Sequence, residues 1–157
     1  MKAISLETAI IVTEISKRTL WRRITEGQIT RLDADDERLR AMLAFDDIAP
    51  LLCIPIDPED HELLIDADAG DAEAQNDLAQ LLLDAGKVDI ALHWLSLAVE
   101  QQHPDAMHNL AKLHIKGIGV PKNESIGLMW LSKAAAHGHV IAKQQMAALV
   151  PMAVKTE

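Results

Sequence analysis

A mostly α-helical chain ending in a stack of similar helix pairs is predicted by three features of the sequence. The first is self-similarity. Trp94 recurs as Trp130, Leu95 as Leu131, Ser96 as Ser132 and Ala98 as Ala134, each thirty-six residues on. Ala74, Leu78 and Leu81 recur as Ala106, Leu110 and Leu113 after thirty-two, because the internal turn of the first copy is four residues shorter. A period in this range marks stacked supersecondary units rather than one closed globule. The second feature is composition: three Trp, one Phe and no Tyr, set against abundant Ala and Leu, favour close-packed helices over sheets. The third is a set of helix start and stop signals in the first thirty residues.

Residues 6–12, LETAIIV, form a short apolar stretch suited to one helix, followed by a turn at Thr13, Glu14 and Ile15. Ser16 then stands where an N-cap belongs, ahead of KRTLWRRITE, and Gly27 stands where a helix would stop. On this second helix Leu20 and Ile24 face inward, while Lys17, Arg18, Arg22 and Arg23 form a cationic face. Residues 1–32 carry six Lys and Arg against three acids, a local +3 in a chain of net charge −9. The overall charge repels nucleic acid and anionic membranes, so any nucleic-acid contact must be local. Candidate nucleic-acid-binding residues are Lys17, Arg18, Arg22, Arg23 and Arg31. A solvated charged face is the alternative.

Ser16, Thr19 and Leu20, followed by Trp21, Arg22, Arg23, Ile24 and Gly27, resemble the helix-turn-helix of the MerR and phage-excisionase group of winged-helix DNA-binding domains. The resemblance implies a second helix in the major groove and a two-stranded wing behind it. Gln28–Leu32 and Arg38–Leu43 are the candidate strands, the latter with Leu39, Ala41 and Leu43 on its half-buried face. Phe45, Ile48, Leu51 and Leu52 then have helical spacing and could close the small core. The wing tip, Asp33 to Glu37, holds four acids in five positions, which opposes phosphate contact. Two readings stay open: binding of double-stranded DNA in transcription regulation, or a fold turned over to protein contact.

Pro50, Pro55 and Pro58 exclude a continuous helix through this region, which is read as a joint between a domain at 1–54 and a domain at 55–157. Cys53, the single cysteine, reads as a small buried hydrophobe and suits a reducing compartment. No signal peptide or membrane-spanning run is recognised, so the expectation is a cytoplasmic protein without membrane contact.

In the repeat part, residues 59–67 read as the second helix of a truncated leading unit. The first full unit sets Ala74, Leu78, Leu81 and Leu82 against Ala91, Trp94, Leu95 and Ala98. The second sets Ala106, Leu110 and Leu113 against Gly127, Trp130, Leu131 and Ala134, and a last helix from Ile141 to Val150 supplies Ala142, Met146 and Leu149 before Pro151 stops it. The expected repeat core is therefore Ala74, Leu78, Trp94, Leu95, Ala106, Leu110, Trp130, Leu131 and Ala142. Small residues let helix backbones approach so that Leu and Trp fill the grooves.

A-x-A-Q-x-x-L-A-x-L-L followed by A-x-x-W-L-x-x-A, and in the second copy G-I-G-V-P-K-N with W-L-S-K-A-A-A-H-G-H, resemble Sel-one-like repeats of the tetratricopeptide clan. The resemblance implies an αα solenoid that binds a partner protein and carries no catalytic residues. Departures are Ala79, Ala111 and Ala147 at the glycine of the family's first helix, and Leu82, His114 and Val150 at its tyrosine. Gln102 stands where the matching turns have Gly70 and Gly138; a positive φ there would cost on the order of 1 kcal/mol. So short an array needs a cap, a docked domain or a homodimer.

His103, His137 and His139 fall in matching turns, but no second cysteine or acidic pair lies at a zinc-like interval, so no metal and no cofactor is expected. GxxxxGK, GxSxG and HExxH are absent, and no enzyme is expected. The sequence thus predicts a non-catalytic two-part protein, either a DNA-binding regulator with a partner-binding or self-associating repeat, or a protein adaptor.

Overall fold

The computed structural model describes residues 2–33 and 38–149. Most of the wing tip, Val150 and the stop at Pro151 lie outside the described residues. The chain divides into two compact units, Met1–Ala74 and Gln75–Glu157.

The first unit runs β1 (Ala3–Ser5), α1 (Leu6–Thr13), α2 (Lys17–Thr25), β2 (Arg31–Leu32), β3 (Met42–Ala44), α3 (Phe45–Ile48) and α4 (His61–Asp68), with single 3-10 turns at Ala49–Leu51 and Pro58–Asp60. The strands form an antiparallel sheet of order β1-β3-β2, with Ala3 opposite Ala44 and Arg31 opposite Leu43. The third strand, β1, was not expected from the sequence, since three residues are too few to show an alternating pattern. Arg38 to Ala41 also departs from the expected strand. Leu39 has φ +55 and is 94% exposed, so the hairpin's pairing is confined to two residues of β2.

Ser16 caps α2 as expected, accepting the Thr19 amide at 3.2 Å. Glu14 takes the left-handed turn between α1 and α2 at φ +58. Leu20 is fully buried while Ile24 is only half-buried. Ile4, Leu6, Ala9, Val12, Leu20, Leu43, Phe45, Ile48 and Leu64 are buried in this unit, and the Cys53 amide donates to the Val12 carbonyl at 2.9 Å. Cys53 itself is half-buried, not fully buried.

One polar knot ties the unit together. The Asp68 carboxylate, 5% exposed, accepts from the Ser5 amide (2.8 Å), the Ser5 hydroxyl (2.6 Å), the Thr8 hydroxyl (2.6 Å) and Arg40 Nη1 (2.9 Å). Ser5 Oγ in turn accepts the Thr8 amide at 3.2 Å and so caps α1. A carboxylate this buried is tolerable only when each lone pair meets a donor. The knot explains why α4, which the repeat register assigns to the second part, belongs to the first unit: its last residue is bonded to β1, α1 and Arg40.

The second unit is α5 (Ala72–Asp84, whose first residues belong to the first unit), α6 (Val88–Glu100), α7 (Pro104–Lys116), α8 (Glu124–Ala136) and α9 (Val140–Leu149). Pro104 opens α7, Gly117 closes it at φ +70, and Asn123 caps α8 by accepting the Ile126 amide at 3.0 Å. Helix α7 packs against α6 and α8, and α8 against α9. Met107, Ala111, Leu131, Ala134 and Ala142 form one buried cluster, with Val99, Trp130, Ala135 and Met146 against its edge. Of the expected core, Trp130 departs: Trp94 is 1% exposed, whereas Trp130 is half-buried with Lys133 Nζ 4.8 Å above its ring. The sequence repeats here but the burial of the two indoles does not. Gln102 adopts φ +60, the strained turn that its register with Gly70 (φ +105) and Gly138 (φ +95) implies.

Gly127 shows why small residues set the helix spacing. A Cβ there would collide with Ile115 Cγ1 and lie 3.2 Å from the Ala111 carbonyl oxygen. Alanine normally stabilises a helix interior over glycine by about 1 kcal/mol. At Gly127→Ala the clash outweighs that gain, and we expect a net loss of about 1–2 kcal/mol in urea unfolding. Asp68→Ala, which removes the carboxylate acceptor of the Ser5 amide, the Ser5 and Thr8 hydroxyls and Arg40 Nη1, should cost about 3–5 kcal/mol by the same measurement.

Candidate functional site

The repeat register places functional groups at equivalent points of α5, α7 and α9. Asn109 Nδ2 donates to Asn76 Oδ1 at 2.9 Å, joining α7 to α5. His108 Nε2 meets Gln145 Oε1 at 2.9 Å, joining α7 to α9. A shift of thirty-two carries Asn76 onto His108, and a shift of thirty-six carries Asn109 onto Gln145, so one polar rung is used twice with different side chains. A further amide pair, Gln101 Nε2 to Gln75 Oε1 at 2.9 Å, fixes the end of α6 to α5. Asn76, Gln75 and His108 are buried polar groups with partners, which orders the three helices without adding apolar bulk. The sequence reading missed this ladder; polar residues recurring at one register position were the available signal.

A second cluster lies at the turns. His139 Nδ1 accepts the Ala142 amide at 3.0 Å and its Nε2 stands 3.2 Å from Asp105 Oδ1, so the ring caps α9 with its hydrogen on Nε2. The His139 and His108 rings stack, with centroids 4.3 Å apart and planes at 14°. His103 Nε2 is 4.0 Å from Asp105 Oδ2, and His137 Nδ1 donates to the Lys133 carbonyl at 2.8 Å. His103, Asp105, His137, His139, Val140 and Ile141 line a cavity of about 400 Å³ with Pro104 and Gly138. Among the described residues no three His, Cys, Asp or Glu side chains converge as metal ligands.

In the first unit the candidate cations divide. Lys17, Arg18 and Arg22 are exposed on α2 and make no ion pair with a described residue, while Arg23 is half-buried. Arg31 lies with its guanidinium 5.6 Å from the centre of the Trp21 ring. The structure therefore brings Arg31 to Trp21, which shares α2 with Lys17 and Arg18 at i+4 and i+3 spacing.

Stacked antiparallel helix pairs with a shared core define the second unit as an α-helical repeat. Within that class the chain belongs to the Sel1 repeat family, which matches residues 72–103 and 104–139. A crystal structure of a Sel1 repeat protein from Oxalobacter formigenes is similar at 31% identity, with a TM-score of 0.52, over 55% of this chain and 68% of that one. No curated protein matches the chain. Sel1 repeats support a role in protein–protein interaction and are typically non-catalytic. No helix among the described residues is long and apolar enough to cross a membrane.

Burial holds the His108 imidazole below the usual histidine range. The Gln145 hydrogen bond works against this, His139 and Lys112 push it further down, and Asp105 pulls it back. The unfolded chain then binds the proton more readily than the folded one. The stability from neutral His108 is fully present above the unfolded pKa of about 6.5 and is lost as pH falls below it. The melting temperature should drop between about pH 7 and pH 5, and His108→Gln should flatten that drop in a thermal-melt series.

Proposed function

We propose that the chain is a non-catalytic interaction protein whose repeat unit holds a partner protein along the exposed side of α5, α7 and α9. The observation carrying this reading is the ladder from Asn76 through Asn109 and His108 to Gln145, which sets three helices at fixed spacing before any partner arrives. Preorganisation of this kind lowers the ordering cost of binding. Gln80 and Lys112 are exposed on α5 and α7 and serve as probes. A pull-down with the 157-residue chain, followed by cross-linking, should retain a partner that is lost with Gln80→Arg and Lys112→Glu and kept with Ser132→Arg on α8. Capture unaffected by the first two variants would contradict the assignment of the face.

A second reading, DNA contact by the first unit in a regulator, is favoured by one observation: the capped helix α2 presents Lys17, Arg18 and Arg22 to solvent, in the order strand, helix, turn, helix, hairpin. Under it, anisotropy with a random duplex falls with salt, and Arg18→Ala with Arg22→Ala abolishes binding. Absence of binding at low salt would remove it. Self-association would use the exposed Ile126, Leu128 and Met129 of α8 with Val140 and Ile141 of α9, and sedimentation would then give a dimer. A cytoplasmic location belongs to either reading and is supported by the single cysteine, which suits a reducing compartment.

A further inference from the structure

The first unit contains a cleft of about 320 Å³ that shares only Lys17 with the readings above, lined by Leu6, Glu7 and Ile10 of α1, Lys17 and Trp21 of α2, and residues 38–41. We propose that this cleft takes a peptide segment of a partner protein, one that sets an apolar side chain beside a carboxylate. The cleft lies within the first unit, and the proposal does not rest on the repeat face.

The walls argue for an apolar anchor. Leu6, Ile10, Trp21 and Ala41 give a hydrocarbon floor, and Leu39 stands over it with 94% of its surface in solvent. Leu39 also holds φ +55, a conformation leucine disfavours. A leucine that is both strained and exposed contributes nothing to the core of its own unit, and such positions cluster at binding sites. A volume near the lower end of the range for ligand pockets suits one or two side chains of an extended segment.

The rim argues for an acid beside that anchor. Lys17 and Arg38 are exposed there, Arg38 Nη2 also reaching the Ala69 carbonyl at 3.4 Å, Arg40 is held by Asp68, and Glu7 is the one acid among the described lining residues. The cleft is therefore a cationic place on a chain of net charge −9, and charge complementarity selects a carboxylate. Nucleic acid fits the same rim less well. One face of the Trp21 ring is already taken by Arg31, which limits base stacking.

The test is selection of a random dodecapeptide display library on the immobilised full chain, followed by anisotropy titration of a selected peptide. Selected sequences should pair Asp or Glu with Leu, Ile, Phe or Trp. Affinity should fall at least about ten-fold in the double variant Lys17→Glu, Arg38→Glu, and again in Leu39→Asn, which removes the apolar group but keeps a residue tolerant of positive φ. Circular dichroism of each variant should match the parent, since all three side chains are exposed. A selection rich in Lys and Arg, or affinity unchanged in both variants, would overturn the proposal. Displacement of the peptide by random duplex DNA at about 0.15 M salt would assign the cleft to nucleic acid and overturn it equally.

Discussion

The second unit depends on how closely α8 can approach α7. Gly127 lies over Ile115 and the Ala111 carbonyl with no room for a Cβ, and Ala111, Ala134 and Ala142 continue the same narrow seam. Because the backbones come this close, Met107 and Leu131 fill the remaining space, and the helix pair acquires a core it could not have alone. The polar ladder can exist only on that frame: an amide pair 2.9 Å long between neighbouring helices requires fixed spacing. The seam thus holds α8 against α7 beside the candidate binding face, and its own residues are buried.

The first unit solves a different problem. A sheet with two- and three-residue strands has little ladder to hold it, so the chain uses a buried carboxylate as a hub. Asp68 collects a strand amide, two hydroxyls and a guanidinium, and through Ser5 it also supports the cap of α1. The same arrangement occupies Arg40, leaving Lys17 and Arg38 as the exposed cations beside the cleft. Local charge and local structure are therefore linked: which cations stand exposed at the cleft follows from which one the core requires.

Much of this was legible in the sequence, for reasons that can be named. The Ser16 cap and the Gly27 stop were readable because capping is a local event between residues three or four apart. The repeat helices were readable because the register of Trp94 with Trp130 and Ala74 with Ala106 reports spatial equivalence directly. The same register pointed to the strained turn at Gln102. What it did not show was the Asp68 knot, whose partners lie 28 to 63 residues away, or that Trp130 would be half-buried. The short strand β1 and the exposed Leu39 were also hidden: hydrophobic alternation over so few residues carries almost no information. For the candidate site, Lys17, Arg18 and Arg22 are exposed while Arg23 is half-buried, and the ladder was missed because its signal, polar residues at one register position, joins side chains as unlike as Asn and His.

Native-state hydrogen exchange across residues 72–149 tests most directly the claim that α7 is clamped between neighbours while α9 closes the described stack. The account predicts that amides of α7, from Met107 to Leu113, exchange only through global unfolding, with a free energy equal to that from denaturant. Amides of α9 should exchange several-fold faster, by local opening. Equal rates in the two helices, or unprotected amides in α7, would contradict it.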